Sequence, residues 1–384
     1  MIAAALLLAA ALFIFYVLIG YPLLLALLKF RAAPPVRKDP GLRTTVSVVV
    51  AVHNGEEFIR AKLESLLALN YPRDLLDILV ASDGSTDGTD GIVESFAARG
   101  VRLLRLPRGG KSAALNAAFE KVSGEILLLT DVRQALDPDA LARLVSNFAD
   151  PSVGVVSGEL RFLNPDRSGE QADMELYWRY ELWVRRRHGG IDSIFGATGC
   201  ICALRRTLGA LIPTDTLDDD VAIPLRAFLQ GYRVILDPEA AAFDYPTQEG
   251  GEFRRKLRTL AGLWQILVRN PKLFTRANRM RLHFFSHKFA RLVLPWALLL
   301  ACGATVALPH SSFRSFLLFD EAAFVLLAAI DRFVPKKFAL KRVTSPARTF
   351  LVMNAATLLA IVVFVVPPGI LWGRTRVRGA RASG

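Results

Sequence analysis

Three clusters of acidic and amide side chains each follow a short hydrophobic run in this 384-residue chain. They are HNGE at 53–56, DGSTD at 83–87 and a single carboxylate at Asp131. Any one of them could be a turn or a helix cap, because Asp, Asn and Thr favour both positions. Three clusters in the same position are harder to dismiss, and they indicate a ligand site if the hydrophobic runs belong to one sheet.

A second acidic feature is the run of three consecutive carboxylates Asp218, Asp219 and Asp220, just before a helix predicted over Val221–Gln230. Adjacent carboxylates repel one another, which tends to raise a pKa and favours a general base. A solvated cap at the start of the helix explains the same residues. The residues alone leave both interpretations open.

The elements that must position these side chains alternate between strand-like and helix-like segments. The strand-like runs are Thr44–His53, Asp77–Ser82, Val101–Leu106, Glu125–Thr130 and Val153–Ser157, and the helix-length segments between them are Glu56–Leu69, Thr89–Arg99, Lys111–Val122 and Pro138–Phe148. This alternation predicts an α/β fold with an open, mostly parallel sheet flanked by helices. Ligands of such sheets bind beyond the carboxyl ends of the strands, where the acidic clusters lie.

Other segments are suited to a membrane. The chain is 52% hydrophobic, its mean hydropathy is +0.34, and residues 1–28 carry no charge. That run can cross a hydrocarbon core of about 30 Å as a helix, and it is too long for a signal peptide. Further apolar runs follow at Leu292–Leu308, Phe313–Val334 and Phe350–Trp372.

The middle apolar run contains Asp320, Glu321 and Asp331, which are costly at bilayer depth. It is therefore either a span with functional acids or a re-entrant or interfacial piece. The basic clusters at 336–342 and 374–381 cannot both be cytoplasmic if one span separates them. We favour a cytoplasmic tail.

The formal net charge of +13 collects beside the apolar segments. This distribution indicates anchoring against anionic lipids, and no nucleic-acid-binding motif accompanies it, so we expect no nucleic-acid partner. His283 and His287 have the spacing of zinc ligands but lack a third ligand, so we expect a pair that binds no metal. Cys200, Cys202 and Cys302 are expected to be packing residues in a reduced compartment.

These observations divide the chain into six parts. They are an N-terminal transmembrane helix (1–30), a proline-rich linker (31–43), an α/β domain (44–250), basic amphipathic helices at a membrane interface (251–291), C-terminal transmembrane segments (292–373) and a basic tail (374–384).

Five segments, in this order, resemble glycosyltransferase family 2, whose members have the GT-A fold and include cellulose- and hyaluronan-type synthases. The segments are VSVVVAVHNGEEFI, LVASDGSTDGT, LLLTDVRQALDPDAL, GATGCICALRR and LDDDVAIPLRAFLQGYRV. The resemblance covers about residues 44 to 290. It implies a GT-A domain that binds a UDP-sugar and transfers the sugar with inversion.

The resemblance also implies the donor side of the site. Val52, His53, Glu56 and Asp83 correspond to positions that hold the uridine, and a carboxylate can accept the N–H of the uracil ring. Lys111 corresponds to a lysine near the nucleotide.

In the family, an Asp-x-Asp motif binds a divalent cation at the diphosphate, and this chain has Asp131-Val132-Arg133 instead. Arg133 could partly replace the cation through bidentate contacts to phosphate. In the other interpretation, Arg133 points away and Asp131 holds Mg²⁺ or Mn²⁺. We favour a cation, because the leaving diphosphate needs neutralising.

By the same resemblance, Asp220 is the catalytic base and Asp219 occupies the neighbouring acidic position. On the acceptor side, Gly199 lies in the loop that shapes the sugar pocket. Processive members carry a Gln-x-x-Arg-Trp motif, of which Arg258 is retained while Thr259 replaces the tryptophan. Trp264 could offer another stacking face.

The sequence therefore predicts a membrane-bound inverting glycosyltransferase that moves a sugar from a UDP-sugar to a lipid-linked or growing glycan acceptor. The alternatives are a processive polysaccharide synthase that extrudes its product and a non-catalytic membrane protein that binds a nucleotide or glycan. We expect a bacterial inner-membrane location with a cytoplasmic catalytic domain, and the sequence does not give the oligomeric state.

Overall fold

Eight strands form one sheet in the computed structural model, which describes residues 1–27, 32–163, 170–209, 211–245, 252–335 and 338–366. The strands are β1 (Val46–Val52), β2 (Leu76–Asp83), β3 (Val101–Leu106), β4 (Ile126–Leu129), β5 (Ala135–Leu136), β6 (Val153–Phe162), β7 (Cys202–Arg205) and β8 (Arg233–Asp244). Their order across the sheet is β3-β2-β1-β4-β7-β6-β8-β5.

The sheet confirms the predicted α/β class and corrects its topology from mostly parallel to mixed. β3, β2, β1 and β4 are parallel, as are β6 and β8. β7 is antiparallel to both β4 and β6, and β5 is antiparallel to β8. The sequence did not indicate β7 or β8, because β7 has only four residues and β8 contains Pro238 beside a register shift.

Thirteen helices lie within the described ranges. They are α1 (Ile2–Phe15), α2 (Tyr21–Leu27), α3 (Glu56–Leu67), α4 (Thr89–Glu94), α5 (Lys111–Phe119), α6 (Ala140–Ser146), α7 (Glu170–Ile191), α8 (Asp219–Leu229), α9 (Glu252–Arg269), α10 (Arg281–Phe284), α11 (Ala290–Ala307), α12 (Ser312–Ile330) and α13 (Lys341–Leu359).

The chain forms two units, each compact. The sheet unit takes in residues 32–164 and 185–246, and the helical unit takes in 1–31, 165–184 and 247–376. In the sheet unit, β1 has the sequence VSVVVAV and lies between β2 and β4, so its valines are buried on both faces. α3 buries Ile59, Leu63 and Leu66, which recur at helical spacing.

The proline-rich segment after residue 31 contacts the sheet unit rather than running free. Lys38 Nζ lies 2.9 Å from an Asp237 carboxylate oxygen, and that carboxylate is 1% exposed. Arg233 donates a hydrogen bond of 2.8 Å to the Pro34 carbonyl oxygen. The part of the predicted linker that the structure describes is therefore an arm of the sheet unit.

In the helical unit, three helices among the described residues are long and apolar enough to cross a membrane. They are Ile2–Leu27, Arg281–Ala307 and Lys341–Phe364. The first lies within the predicted residues 1–30, the second begins eleven residues before the predicted Leu292, and the third begins nine residues before the predicted Phe350. Residues 28–31, 336–337 and 367–384, which carry much of the predicted basic flanks and the tail, lie outside the described residues.

Helix α12, which carries Asp320 and Glu321, is not among the three helices of the described residues that could cross a membrane. Asp331, just after it, accepts hydrogen bonds from Lys341 Nζ (2.9 Å to its carbonyl) and from Thr344 Oγ1 (2.7 Å to its carboxylate). Glu321 accepts one of 2.9 Å from Thr305. Two of the three acids are thus paired with neighbouring helices of the same unit.

His283 and His287 each contact a different side chain of the helical unit. His283 Nδ1 lies 2.9 Å from Tyr21 Oη, and His287 Nε2 lies 3.2 Å from a Glu181 carboxylate oxygen. The first contact joins the N-terminal helix to the helix that begins at Arg281.

Candidate active site

Three carboxylates of the sheet unit surround the ammonium group of Lys111. Its Nζ lies 3.0 Å from Asp131 Oδ1, 2.9 Å from Asp219 Oδ2 and 3.8 Å from Asp220 Oδ1. Asp131 follows β4, Lys111 opens α5, and the other two acids open α8. Residues from three separate stretches of sequence therefore meet at one point beside the sheet.

The mutual arrangement of these charges determines their protonation. Burial alone would lower the pKa of Lys111, but the three carboxylates outweigh it and hold that pKa well above its usual range. Burial raises the pKa of Asp220 well above its ordinary value, Lys111 opposes this rise, and the carboxylates of Asp219 and Asp131 add to it. The site thus combines a protonated amine with a carboxylate of raised basicity.

An apolar cavity lies next to the charged groups. Besides the four charged residues, its lining includes Val49, Ala51, Leu115, Leu129, Ile223 and Pro224. A low-dielectric surrounding strengthens the interactions between the charges beside it.

The turn that carries Gly199 packs directly against Asp220. Thr198 and Ile201 form an antiparallel bridge across the turn, and the Ala197 N–H donates a hydrogen bond of 2.7 Å to the Asp220 carbonyl. A Cβ atom added at Gly199 would lie 2.2 Å from Asp220 Oδ2. Only glycine leaves room for the carboxylate in this position.

Asp83, at the end of β2, holds the loop that leads into Lys111. Its carboxylate accepts hydrogen bonds from the backbone N–H groups of Gly109 (2.6 Å) and Gly110 (3.0 Å), and it pairs with the Arg108 guanidinium. His53 Nδ1 lies 2.8 Å from the Asp83 carbonyl oxygen, so this nitrogen carries the proton and donates it. Sequence reasoning missed Arg108, although a basic residue directly before the Gly-Gly-Lys segment was a usable signal.

Glu56 and Val52 lie at the end of β1 and differ in what they can offer a ligand. The Glu56 carboxylate accepts a hydrogen bond of 2.9 Å from the Gly88 N–H, and the Glu56 N–H donates to Asp87 Oδ2 at 3.2 Å. This reciprocal pair ties the β1 loop to the β2 loop. The Val52 side chain is buried in the core at 3% exposure, so only its backbone is available at this edge.

Arg133 points toward the far side of the sheet unit, to β8. Its guanidinium donates two hydrogen bonds to the Asp244 carboxylate, at 2.7 Å from Nη2 and 3.1 Å from Nε. The side chain of Asp244 is 3% exposed. In this arrangement the charge of Arg133 is already neutralised by a buried carboxylate.

The described residues contain no group of three His, Cys, Asp or Glu side chains arranged to hold a metal ion. The carboxylate oxygens of Asp131, Asp219 and Asp220 have the chemistry that Mg²⁺ and Mn²⁺ prefer, but the Lys111 ammonium lies among them. With the ammonium among them, these three carboxylates do not make a metal site by themselves.

The remaining predicted residues, Arg258, Thr259 and Trp264, lie on α9 in the helical unit. Thr259 Oγ1 donates a hydrogen bond of 3.1 Å to the Arg255 carbonyl, and the Trp264 ring packs edge-on against Phe364 at 6.4 Å between centroids. Both contacts are within the helical unit, and the predicted acceptor role of these residues stays a prediction.

Comparisons with known proteins identify the family and fold that this chain resembles. Residues 47–209 match the family model described as Glycosyl transferase family 2. YdaM of Bacillus subtilis (strain 168), described as a probable glycosyltransferase, is 25% identical over 268 residues, which are 66% of this chain and 63% of YdaM. The poly-beta-1,6-N-acetyl-D-glucosamine synthase of Staphylococcus aureus (strain COL) is 22% identical over 255 residues, 65% of this chain and 61% of the synthase. The chain thus spans less than two thirds of the length of either relative.

Among solved structures, the chain is similar to the mannosyltransferase PcManGT from Pyrobaculum calidifontis in complex with GDP-Man and Mn²⁺. The TM-score is 0.70 at 25% sequence identity, and the match covers 94% of this chain and 98% of that one. Fold, motif order and family match coincide on the region that carries Lys111 and Asp131. Residues 47–209 thus carry a domain that matches glycosyl transferase family 2, and the chain is similar in fold to PcManGT.

Proposed function

We propose that this chain is a membrane-bound inverting glycosyltransferase that moves a sugar from a UDP-sugar to a lipid-linked or growing glycan acceptor. The observation that carries the proposal is the convergence of Asp131, Asp219 and Asp220 on Lys111. Lys111 and Asp131 lie within residues 47–209, which match the family model, and the other two acids follow that segment. One carboxylate of raised pKa beside a fixed cation suits a single displacement on a phosphorylated sugar.

In this reaction an acceptor hydroxyl oxygen forms a bond to the anomeric carbon, and the bond from that carbon to the diphosphate oxygen breaks. Asp220 accepts the hydroxyl proton, and the nucleoside diphosphate leaves with the electron pair. Protonated Lys111 provides positive charge where the diphosphate gains negative charge. Asp219 holds the ammonium of Lys111 at 2.9 Å and so fixes the position of that charge.

The proposal includes a divalent cation, Mg²⁺ or Mn²⁺, which Asp131 would hold. It would supply further charge neutralisation of the leaving group. PcManGT, whose complex contains Mn²⁺, supports this assignment by similarity.

The nucleobase of the donor has two candidates. A carboxylate such as Asp83 can accept a ring N–H from uracil or from guanine, so its chemistry is compatible with both. The family resemblance stated above favours UDP-sugars, while the GDP-Man complex of PcManGT makes GDP-mannose the second candidate.

The test of the function is a donor screen with the full chain in detergent, in which the release of free nucleoside diphosphate is measured. We expect release from at least one UDP-sugar and much less from GDP-mannose. Release from GDP-mannose alone would change the donor to the second candidate. If no nucleotide sugar gave release, with or without added membrane lipid, the non-catalytic interpretation would replace the proposal.

Removal of the divalent cation is the second prediction. EDTA should strongly lower release from the preferred donor, and Mn²⁺ or Mg²⁺ should restore it, because Asp131 and Lys111 alone leave the diphosphate charge incompletely neutralised. The same concentration of EDTA saturated with an excess of Mg²⁺ or Mn²⁺ controls for effects of the chelator itself and should leave release unchanged. Full activity in EDTA would assign the neutralising role to Lys111 without a metal.

Product length separates single transfer from processive synthesis. One added sugar for each acceptor supports the proposed transferase, whereas a ladder of products supports the synthase alternative that the staphylococcal relatives suggest. The three span-capable helices support a location in a membrane, and a bacterial inner membrane with a cytoplasmic catalytic domain belongs to the same proposal.

A further inference from the structure

Lys62 is a fully buried lysine in the sheet unit, 2% exposed. It lies on α3 among Ile59, Leu63 and Leu66, on the face that packs into the core. Lysine is almost never fully buried unless its ammonium is paired. Its presence in an otherwise apolar helix face therefore calls for a specific partner.

The partners of Lys62 are the two ends of the turn that carries Asp131. Its Nζ donates hydrogen bonds of 2.6 Å to Thr130 Oγ1 and 2.6 Å to the Gln134 carbonyl oxygen. Asp131 and Arg133 lie between these two contacts in sequence. One amine thus ties the turn at both ends to the rigid helix α3.

Thr130 extends this connection to the other side of the site. Its hydroxyl donates a hydrogen bond of 2.6 Å to the Cys200 carbonyl, and Cys200 follows Gly199, against which Asp220 packs. On the other side, Gln134 Nε2 donates to Asp244 Oδ2 at 2.7 Å. The hydrogen bonds from Lys62 to Thr130 and from Thr130 to Cys200 therefore join the turn of Asp131 to the turn that faces Asp220.

We propose that Lys62 is a positioning residue for the transfer reaction, which holds the Asp131 turn and, through Thr130, the Gly199 turn at the spacing that the reaction needs. The inference rests on the proposed function. Hydrogen bonds of an ammonium to two fixed acceptors define the distance between backbone segments more narrowly than apolar packing does.

The free-energy cost of burying the Lys62 charge distinguishes a positioning role from a contribution to stability. Burial lowers the pKa of Lys62 to about 8, while Cys200 and Asp131 oppose that shift, so the charge is costly to the fold. Lys62→Met removes this costly charge, but it also takes a donor away from the Gln134 carbonyl and the Thr130 hydroxyl, so its two effects on stability oppose each other. If Lys62 served stability alone, Lys62→Met would lower kcat only as far as it lowers the amount of folded protein. If Lys62 positions the two turns, kcat falls while the protein stays folded.

The experiment compares Lys62→Met with wild type in the donor-release assay and in thermal unfolding. We expect kcat to fall about tenfold to a hundredfold, with an unfolding temperature close to that of wild type, because the opposing effects on stability offset each other. Lys121→Met, at an exposed position, is the matched control and should leave kcat and the unfolding temperature unchanged. A Lys62→Met kcat within twofold of wild type would overturn the inference, as would a loss of kcat matched by a loss of folded protein.

Thr130 provides a second pair of variants, in case Lys62→Met does not fold. Thr130→Ser keeps the hydroxyl that links Lys62 to Cys200, and it should retain most of kcat. Thr130→Val removes that hydroxyl while preserving shape, and its kcat should fall toward the Lys62→Met value. Equal kcat in the two variants contradicts the proposal. If wild type and Lys121→Met both release no nucleotide, the proposed function fails instead, so the two failures are distinguishable.

Discussion

Asp220→Asn is expected to lower kcat for nucleoside diphosphate release by about a hundredfold to ten-thousandfold, the usual contribution of a positioned base. The amide keeps the shape of the side chain but cannot accept the acceptor proton. Donor binding should be nearly unchanged, because Lys111 retains its contacts of 3.0 Å to Asp131 and 2.9 Å to Asp219. Steady-state release and equilibrium binding of UDP measure the two effects separately.

Folding stability provides an internal check on the same variant. Burial and the neighbouring carboxylates raise the pKa of Asp220, so at neutral pH the ionised side chain is less favourable in the folded chain than in the unfolded chain. The asparagine variant should therefore unfold at the same or a higher temperature. Asp74→Asn, at an exposed position away from the site, should change neither kcat nor unfolding. Normal turnover in Asp220→Asn would remove the base assignment.

The convergence behind this prediction was partly readable from the sequence. β1 is parallel to both β2 and β4, so the polar residues that follow these strands emerge at one edge of the sheet. The alternation of strand-like and helix-like segments in the sequence already predicted this. Asp131 and Lys111 do meet, at 3.0 Å. The position of Asp220 depended on the family resemblance, since three acids before a helix are equally compatible with a cap.

Contacts between residues distant in sequence could not be predicted in the same way. Arg133 pairs with Asp244 across 111 positions, and Lys62 reaches Thr130 across 68, and no local pattern specifies either partner. Only tertiary packing shows that Lys62 lies on the buried face of α3 and that its ammonium has acceptors there. The sequence did not predict β7 for a related reason, because its four residues form a strand only through pairing with β4 and β6.

Gly199→Ala is the second substitution with a large expected effect, and it alters no charged or polar group. The new Cβ would lie 2.2 Å from Asp220 Oδ2 and 2.5 Å from its Cγ, closer than nonbonded atoms can approach. The Asp220 side chain is 37% exposed and can rotate toward solvent, so we expect the carboxylate to move while the turn keeps its fold. A displacement of about 1 Å can cost about a hundredfold in rate, and kcat should fall by that order.

The matched control for Gly199→Ala is Gly190→Ala, on α7, where an added Cβ meets no atom within 4 Å. It should retain kcat and leave stability unchanged or raised by up to about 1 kcal/mol, because alanine favours a helix over glycine. Measured kcat and thermal unfolding of both variants separate a displaced carboxylate from a general effect of an added methyl group.

A double variant tests whether Gly199 acts through Asp220. If the added methyl group lowers kcat only by moving the carboxylate, Gly199→Ala should cost little further activity in the Asp220→Asn background, since the base has already been removed. Additive losses would show that the turn contributes to transfer by another route, such as contact with the acceptor sugar. Strongly non-additive losses tie the close packing at Gly199 to the position of the base.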